Sequence, residues 1–196
     1  MITIDMRLGG QFGTITDFWA WAFGDLRSNN VRGVFAEWMV AQLLGLQPDP
    51  RGSWDDYDLM LPTGVTIEVK ASAYRQVWHS LGSPPSEIQF TGLKGHKWID
   101  AKQRRNSPEK TYNADLYVFC VQTERDPDRW DAFDLSQWDF YVVPRAKIEK
   151  HGSNSLRLSV VQGFSARLTA NELREAVARE EQARTGRADG DSPGSG

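Results

Sequence analysis

Apolar positions fall into short runs separated by polar, proline-marked or glycine-marked breaks, and the spacing within each run assigns it an element. Residues 31–44 predict a helix, with Ser28, Asn29 and Asn30 as N-cap candidates and Gly45, Pro48 and Pro50 ending it. Val34, Glu37, Ala41 and Leu44 fall on one side, so Glu37 stands on or beside the inward stripe, an uncommon place for a carboxylate. A salt bridge to a nearby arginine is the ordinary explanation and weighs about as much as a functional one. Residues 57–61 and 65–71 predict two strands, and the continuous apolar run of residues 114–121 predicts a strand at the centre of a sheet. Further strands are expected at residues 87–90, 140–143 and, by alternation, 156–161. Residues 146–150 suit a helical turn, and residues 169–184 a polar helix with Thr169 as N-cap and Glu172 as its capping-box partner. Near the start, residues 16–26, with Phe18, Trp19, Trp21 and Phe23, predict a short aromatic helix or turn packed on the core. The sum is an α/β chain forming one domain over residues 1–185, followed by a Gly/Ser/Asp-rich tail, 186–196, expected to be disordered.

The stretch Asp55 to Lys70 carries the densest chemistry. Pro62-Thr63-Gly64 suits a three-residue hairpin loop, with proline pre-set for a type I turn and glycine in the left-handed position. That loop pairs Leu61 with Val65, and counting back sets Asp58 opposite Glu68, with Cβ atoms roughly 5 Å apart. Thr66, Glu68 and Lys70 share one face of the second strand; Val65, Ile67 and Val69 share the other. Two carboxylates at that distance repel, so a positive charge is required beside them. Lys70 is one compensator and a divalent metal is the other. Hard oxygen ligands select Mg2+ or Mn2+ over zinc, and three scattered histidines with one cysteine offer no zinc pattern. Beside metal-bound water, a lysine ammonium can orient or help deprotonate the nucleophile for attack on a phosphodiester. An exposed hairpin with an ordinary Glu68–Lys70 salt bridge is the plain alternative.

Composition narrows the class without deciding it. Twenty-three Lys and Arg against 26 Asp and Glu give a net charge of -3, which argues against non-specific coating of nucleic acid but leaves room for a local basic patch. The single Cys120 lies in an apolar run, so no disulfide forms within the chain and a reducing, cytoplasmic setting is expected. No apolar run is long enough to span a bilayer, and the first residues lack a signal-peptide pattern.

Asp58, then Ile67-Glu68-Val69-Lys70, preceded by a helix holding Glu37 in Arg32-Gly33-Val34-Phe35-Ala36-Glu37, resembles the PD-(D/E)XK nuclease superfamily, the restriction-endonuclease-like fold. The resemblance covers residues 30–122, and the order of elements carries it more than the letters do. It implies a central mixed β-sheet flanked by helices and Mg2+-dependent cleavage of phosphodiesters. By resemblance Asp58 and Glu68 are metal ligands, with Val69 and Glu37 completing the metal set and Lys70 the catalytic lysine. Gln76 matches the polar residue that some members use to position the motif; a surface or capping glutamine is the other reading. No proline precedes Asp58, and Asp55 and Asp56 compete with it for the first acidic position; hairpin parity favours Asp58.

Two segments are candidates for holding nucleic acid. The polar stretch of residues 92–110, with Lys94, Lys97, Lys102, Arg104 and Arg105 around His96 and Trp98, suits a flexible loop that orders on a ligand, or simply a solvated one. Ser72 and Arg75 follow the catalytic strand, where Tyr74 and Trp78 read as packing residues. The expected activity is that of a Mg2+-dependent DNA endonuclease of restriction, defence or repair type, working as a homodimer if it cuts both strands. The competing class is a catalytically inactive module of the same fold that binds DNA or joins a complex.

Overall fold

The structure, a computed structural model, describes residues 6–47, 56–80, 82–100 and 105–188. Thr14 opens α1 (Ile15–Phe23): its hydroxyl accepts from Asp17 N–H, and its own N–H donates to Asp17 Oδ2, so two free amides at the helix start find partners. Helix α2 (Asn29–Leu44) stops at Gly45, whose φ of +72° closes the last turn and whose missing side chain leaves room for the Arg174 guanidinium. The hairpin β1 (Leu59–Met60) and β2 (Thr66–Ala73) follows, then β3 (Gln89–Thr91), β4 (Gly95–Asp100), β5 (Arg105–Thr111) and β6 (Leu116–Gln122). The chain ends with β7 (Trp138–Pro144), α3 (Arg145–His151), β8 (Ser155–Arg157), α4 (Leu158–Phe164) and α5 (Ala170–Ala188).

The main sheet runs β1-β2-β6-β7: β1 is antiparallel to β2, β2 parallel to β6, and β6 antiparallel to β7. It is a mixed sheet flanked by helices. All seven residues of β6 are buried, as a strand covered on both faces requires. Ile67, Val69, Leu116, Val118, Phe140 and Val142 pack against Ala36, Met39 and Val40 of α2 and against Leu173 and Val177 of α5. Tyr117, Phe119, Val121, Tyr141 and Val143 face the other way, onto Phe90, Ile148, Leu156 and Val161. Strict alternation along β2 therefore turns Glu68 and Lys70 away from α2.

Several expectations need correction. Helix α1 forms, but none of its residues is buried, and Trp21 is 84% exposed; Phe18 meets Trp21 at a tilt and Phe23 edge-on. On α2 the buried residues are Arg32, Ala36, Met39, Val40 and Ala41, with Leu44 packed against the core; Ala41 and Leu44 stand inward as expected, while Val34 is exposed. Residues 156–161 divide between β8 and α4, because Leu158 and Val161 repeat at helical spacing and both reach the second core. The basic stretch forms the antiparallel ribbon β4–β5, with β-bulges on either side of Trp98, rather than a structureless loop. Trp78 is exposed and meets only the edge of the His79 ring among the described aromatic residues. Helix α5 runs to Ala188, past the expected start of the tail; residues 189–196 lie outside the described residues. Among the described residues no helix is long and apolar enough to cross a membrane.

Candidate active site

The hairpin has the register its turn dictates. Gly64 adopts φ +88°, and its N–H donates to Leu61 O at 2.8 Å; Leu61 N–H donates to Val65 O at 2.8 Å. Leu59 then faces Ile67, and the same count sets Asp58 opposite Glu68, one residue beyond the last paired strand residue. The Thr63 hydroxyl donates to Glu181, tying the loop to α5.

Asp58 ends the ladder with its side chain. Its N–H donates to Ile67 O at 3.0 Å, while its Oδ2 accepts from Val69 N–H at 2.7 Å. In an extended strand the N–H and C=O of one residue point to the same edge, so the Val69 carbonyl is directed to the edge that Asp58 occupies. The Val69 side chain is buried in the core, which leaves the main chain as its means of serving a site.

At this edge Asp58 lies close to two further acids, Glu68 and Glu37, and to one cation, Lys70. Burial raises the Asp58 pKa to about 7, with the negative charges of Glu68 and Glu37 adding to the effect; the Val69 N–H and the Lys70 ammonium oppose it. Glu37, from α2, thus acts on Asp58 across the gap between helix and hairpin. Lys70 Nζ donates to Glu68 Oε1 at 2.5 Å, with both side chains half-buried. Tyr117 stands beside Glu68 in the neighbouring strand. Burial and the Glu68 charge push its phenol above the usual range, and its hydroxyl donates to Leu93 O at 3.1 Å, so it stays protonated.

Among the described residues no three His, Cys, Asp or Glu side chains form a group arranged to hold one ion. The donors at the β1–β2 edge are two carboxylates and a strand carbonyl, all hard oxygens, with the Asp58 carboxyl pushed up first by burial and then by like charges. That chemistry fits Mg2+ or Mn2+, which would remove the repulsion felt by Asp58.

The accessory residues separate into groups. Gln76 is 8% exposed, so the surface reading fails; its Nε2 donates to Ala73 O at 2.8 Å and its Oε1 accepts from Arg32 Nη1 at 3.2 Å. Arg75 is also buried, and Ser72 lies within β2 rather than at the surface. Lys94 Nζ donates to Gly152 O at 3.3 Å and sits over the Tyr112 ring, which makes it a packing cation. Lys97 is exposed on β4. Asp55, Lys102 and Arg104, and the side chain of Arg105, lie outside the described residues; Asp56 is half-buried. Sequence reading passed over Arg32, although its spacing with Ala36 and Val40 places it on the buried face of α2.

Compared with models of known protein families and with curated proteins, the chain matches none.

Proposed function

We propose that the chain is a divalent-cation-dependent DNA endonuclease of restriction-endonuclease-like fold, with its active centre at the edge where β1 ends beside β2. One observation carries this reading: the hairpin register brings Asp58 to Glu68 and Lys70 at a strand edge, and Asp58 is pushed up to about 7 by burial and two neighbouring acids. An Asp58 carboxylate buried beside two acids is costly to ionise, and a divalent cation at this edge would lower that cost.

Asp58, Glu68 and the Val69 main chain would hold Mg2+ or Mn2+, with Glu37 adding negative potential from α2. Such an ion supplies a more acidic water and neutralises charge on the scissile phosphate. Glu68 anchors Lys70 through their hydrogen bond, which keeps the ammonium on the same face as the acids. From there Lys70 donates to the attacking water and holds it in line with the phosphorus. Gln76 fixes the end of β2 to α2 through Arg32 and so sets the position of the whole strand against the helix carrying Glu37. DNA backbone contacts fall to the β4–β5 ribbon, where Lys97 is exposed and Lys102, Arg104 and Arg105 follow in sequence. Cutting both strands with one site per chain calls for two copies.

The absence of a three-acid group among the described residues favours a second reading, in which the fold binds DNA without cutting it. Incubating the purified chain with duplex DNA separates the two. Cleavage with Mg2+ or Mn2+, abolished by EDTA, supports the nuclease; binding without cleavage under either ion supports the module.

A further inference from the structure

A second site lies past the C-terminal end of β2. Arg27, Arg75, Gln76, His79, Pro127 and Trp130 line a cavity of about 210 Å3. That is smaller than the roughly 300–1,000 Å3 of pockets enclosing drug-sized ligands and suits a compact group.

The polar groups around this cavity are mostly donors, and several lack acceptors. Arg75 is 8% exposed; among the described residues its Nη1 reaches only Ser83 O, at 3.4 Å, and it forms no ion pair. Arg32, 4% exposed, stands behind Gln76; its Nη1 donates to Gln76 Oε1 and to Arg27 O, its Nη2 to Asn29, and its Nε has no partner. Arg32 too has no carboxylate partner among the described residues, and burial lowers its pKa to about 10, so it stays charged at neutral pH. Among the described residues the buried indole Nε1–H of Trp130 has no acceptor and the buried Nδ1 of His79 has no partner, while His79 Nε2 lies 3.3 Å from Ser86 Oγ. Arg27 is paired with Asp25 at 3.0 Å.

Two buried guanidiniums without carboxylates, beside an unsatisfied indole donor, leave an unmet demand for negative charge and for acceptor oxygens. A tetrahedral oxyanion supplies both: it accepts several hydrogen bonds at once and matches the guanidinium fork of Arg75. A neutral amide ligand would leave the charge unmatched, and an apolar one would leave the donors unmatched as well. We propose that this cavity binds a phosphate group, held by Arg75 and Trp130 with Arg32 supplying charge from behind Gln76. The phosphate is either inorganic or the terminal monoester of a nucleic-acid strand. The phosphate chemistry stands apart from the cleavage reading; only the strand-end source rests on it.

The test uses isotope-labelled protein in buffer with EDTA, so no cleavage enters it. Inorganic phosphate is titrated while the Trp130 indole N–H signal, assigned by its loss in Trp130→Phe, is followed. A saturable shift of that signal is expected, weakened at least about 10-fold in Arg75→Gln, the equivalent of about 1.4 kcal/mol. Gln76→Glu, which puts a carboxylate on the cavity wall, abolishes it and serves as a second variant should Arg75→Gln fail to fold. Short oligonucleotides with phosphorylated or hydroxyl ends follow. Tighter binding of the phosphorylated ends, through the same indole signal, identifies the strand end; equal binding of both with the phosphate shift retained identifies inorganic phosphate. No shift with phosphate, or equal affinity in wild type and both folded variants, overturns the proposal. Failure of DNA cleavage leaves this result untouched.

Discussion

Asp58 Oδ2 accepts a hydrogen bond from Val69 N–H at 2.7 Å, so a carboxylate takes the place in the sheet that the next residue of β1 would have filled. This single contact stops the edge strand and frees the edge of β2 for chemistry. It also fixes Asp58 where the charges of Glu68 and Glu37 reach it.

The first prediction follows from that position. The Asp58 pKa is about 7 in the folded chain against the ordinary aspartate value of 3.8, so between those limits the native state binds the extra proton. Stability therefore falls as pH rises from about 4 to 7, and is regained as pH falls back through the window. Asp58→Asn keeps an acceptor for Val69 N–H and removes the charge. In EDTA it should raise the melting temperature at pH 8 and flatten the stability profile between pH 4 and 7. An unchanged profile in calorimetry would remove Asp58 from the centre of the site's electrostatics.

Cleavage should depend on Lys70 and Glu68 individually. Lys70→Ala and Glu68→Ala are each expected to lower Mg2+-supported cutting of duplex DNA by about 10²–10⁴-fold while retaining the wild-type circular dichroism spectrum. Wild-type rates in both variants would be incompatible with the assigned centre.

Gln76 supplies a prediction about architecture. Gln76→Ala removes the acceptor of Arg32 Nη1 and the donor to Ala73 O in a buried setting. A cost of about 1–3 kcal/mol is expected from unsatisfied polar groups alone. Urea denaturation measures it, and a change under about 0.5 kcal/mol, the range of ordinary surface substitutions, would show the link to be idle.

Helix α5 should matter to the sheet far more than its polar sequence suggests. Leu173 is fully buried against the face of the sheet that α2 also covers. Leu173→Ala is expected to cost about 2–5 kcal/mol by denaturant unfolding, as for other core leucines.

How much of this was legible beforehand depends on whether the cause was local. The Pro62-Thr63-Gly64 turn fixes register by its own length and by the positive φ of Gly64, so the opposition of Asp58 and Glu68 could be counted out. Period-2 alternation likewise put Glu68 and Lys70 on one face. The seven apolar residues of β6 announced a strand buried on both sides. The misreadings have non-local causes. Alternation over residues 156–161 suits a strand, yet Leu158 and Val161 also stand at helical spacing, and packing against Ile148 and Leu156 goes with the helix α4. The α1 aromatics looked like core because rings usually are, yet the sheet's two faces are filled by other elements.

The sequence by itself determined the elements, the hairpin register and the acid–lysine face, because turns, caps and side-chain alternation act over a few residues. Only the tertiary structure decided which charges meet. Glu37 reaches Asp58 because α2 packs across β2, and Arg32 is stripped of water and joined to Gln76 by the same packing. Burial and through-space charge depend on neighbours distant in the chain, and so does the donor-rich cavity that Arg75, His79 and Trp130 enclose.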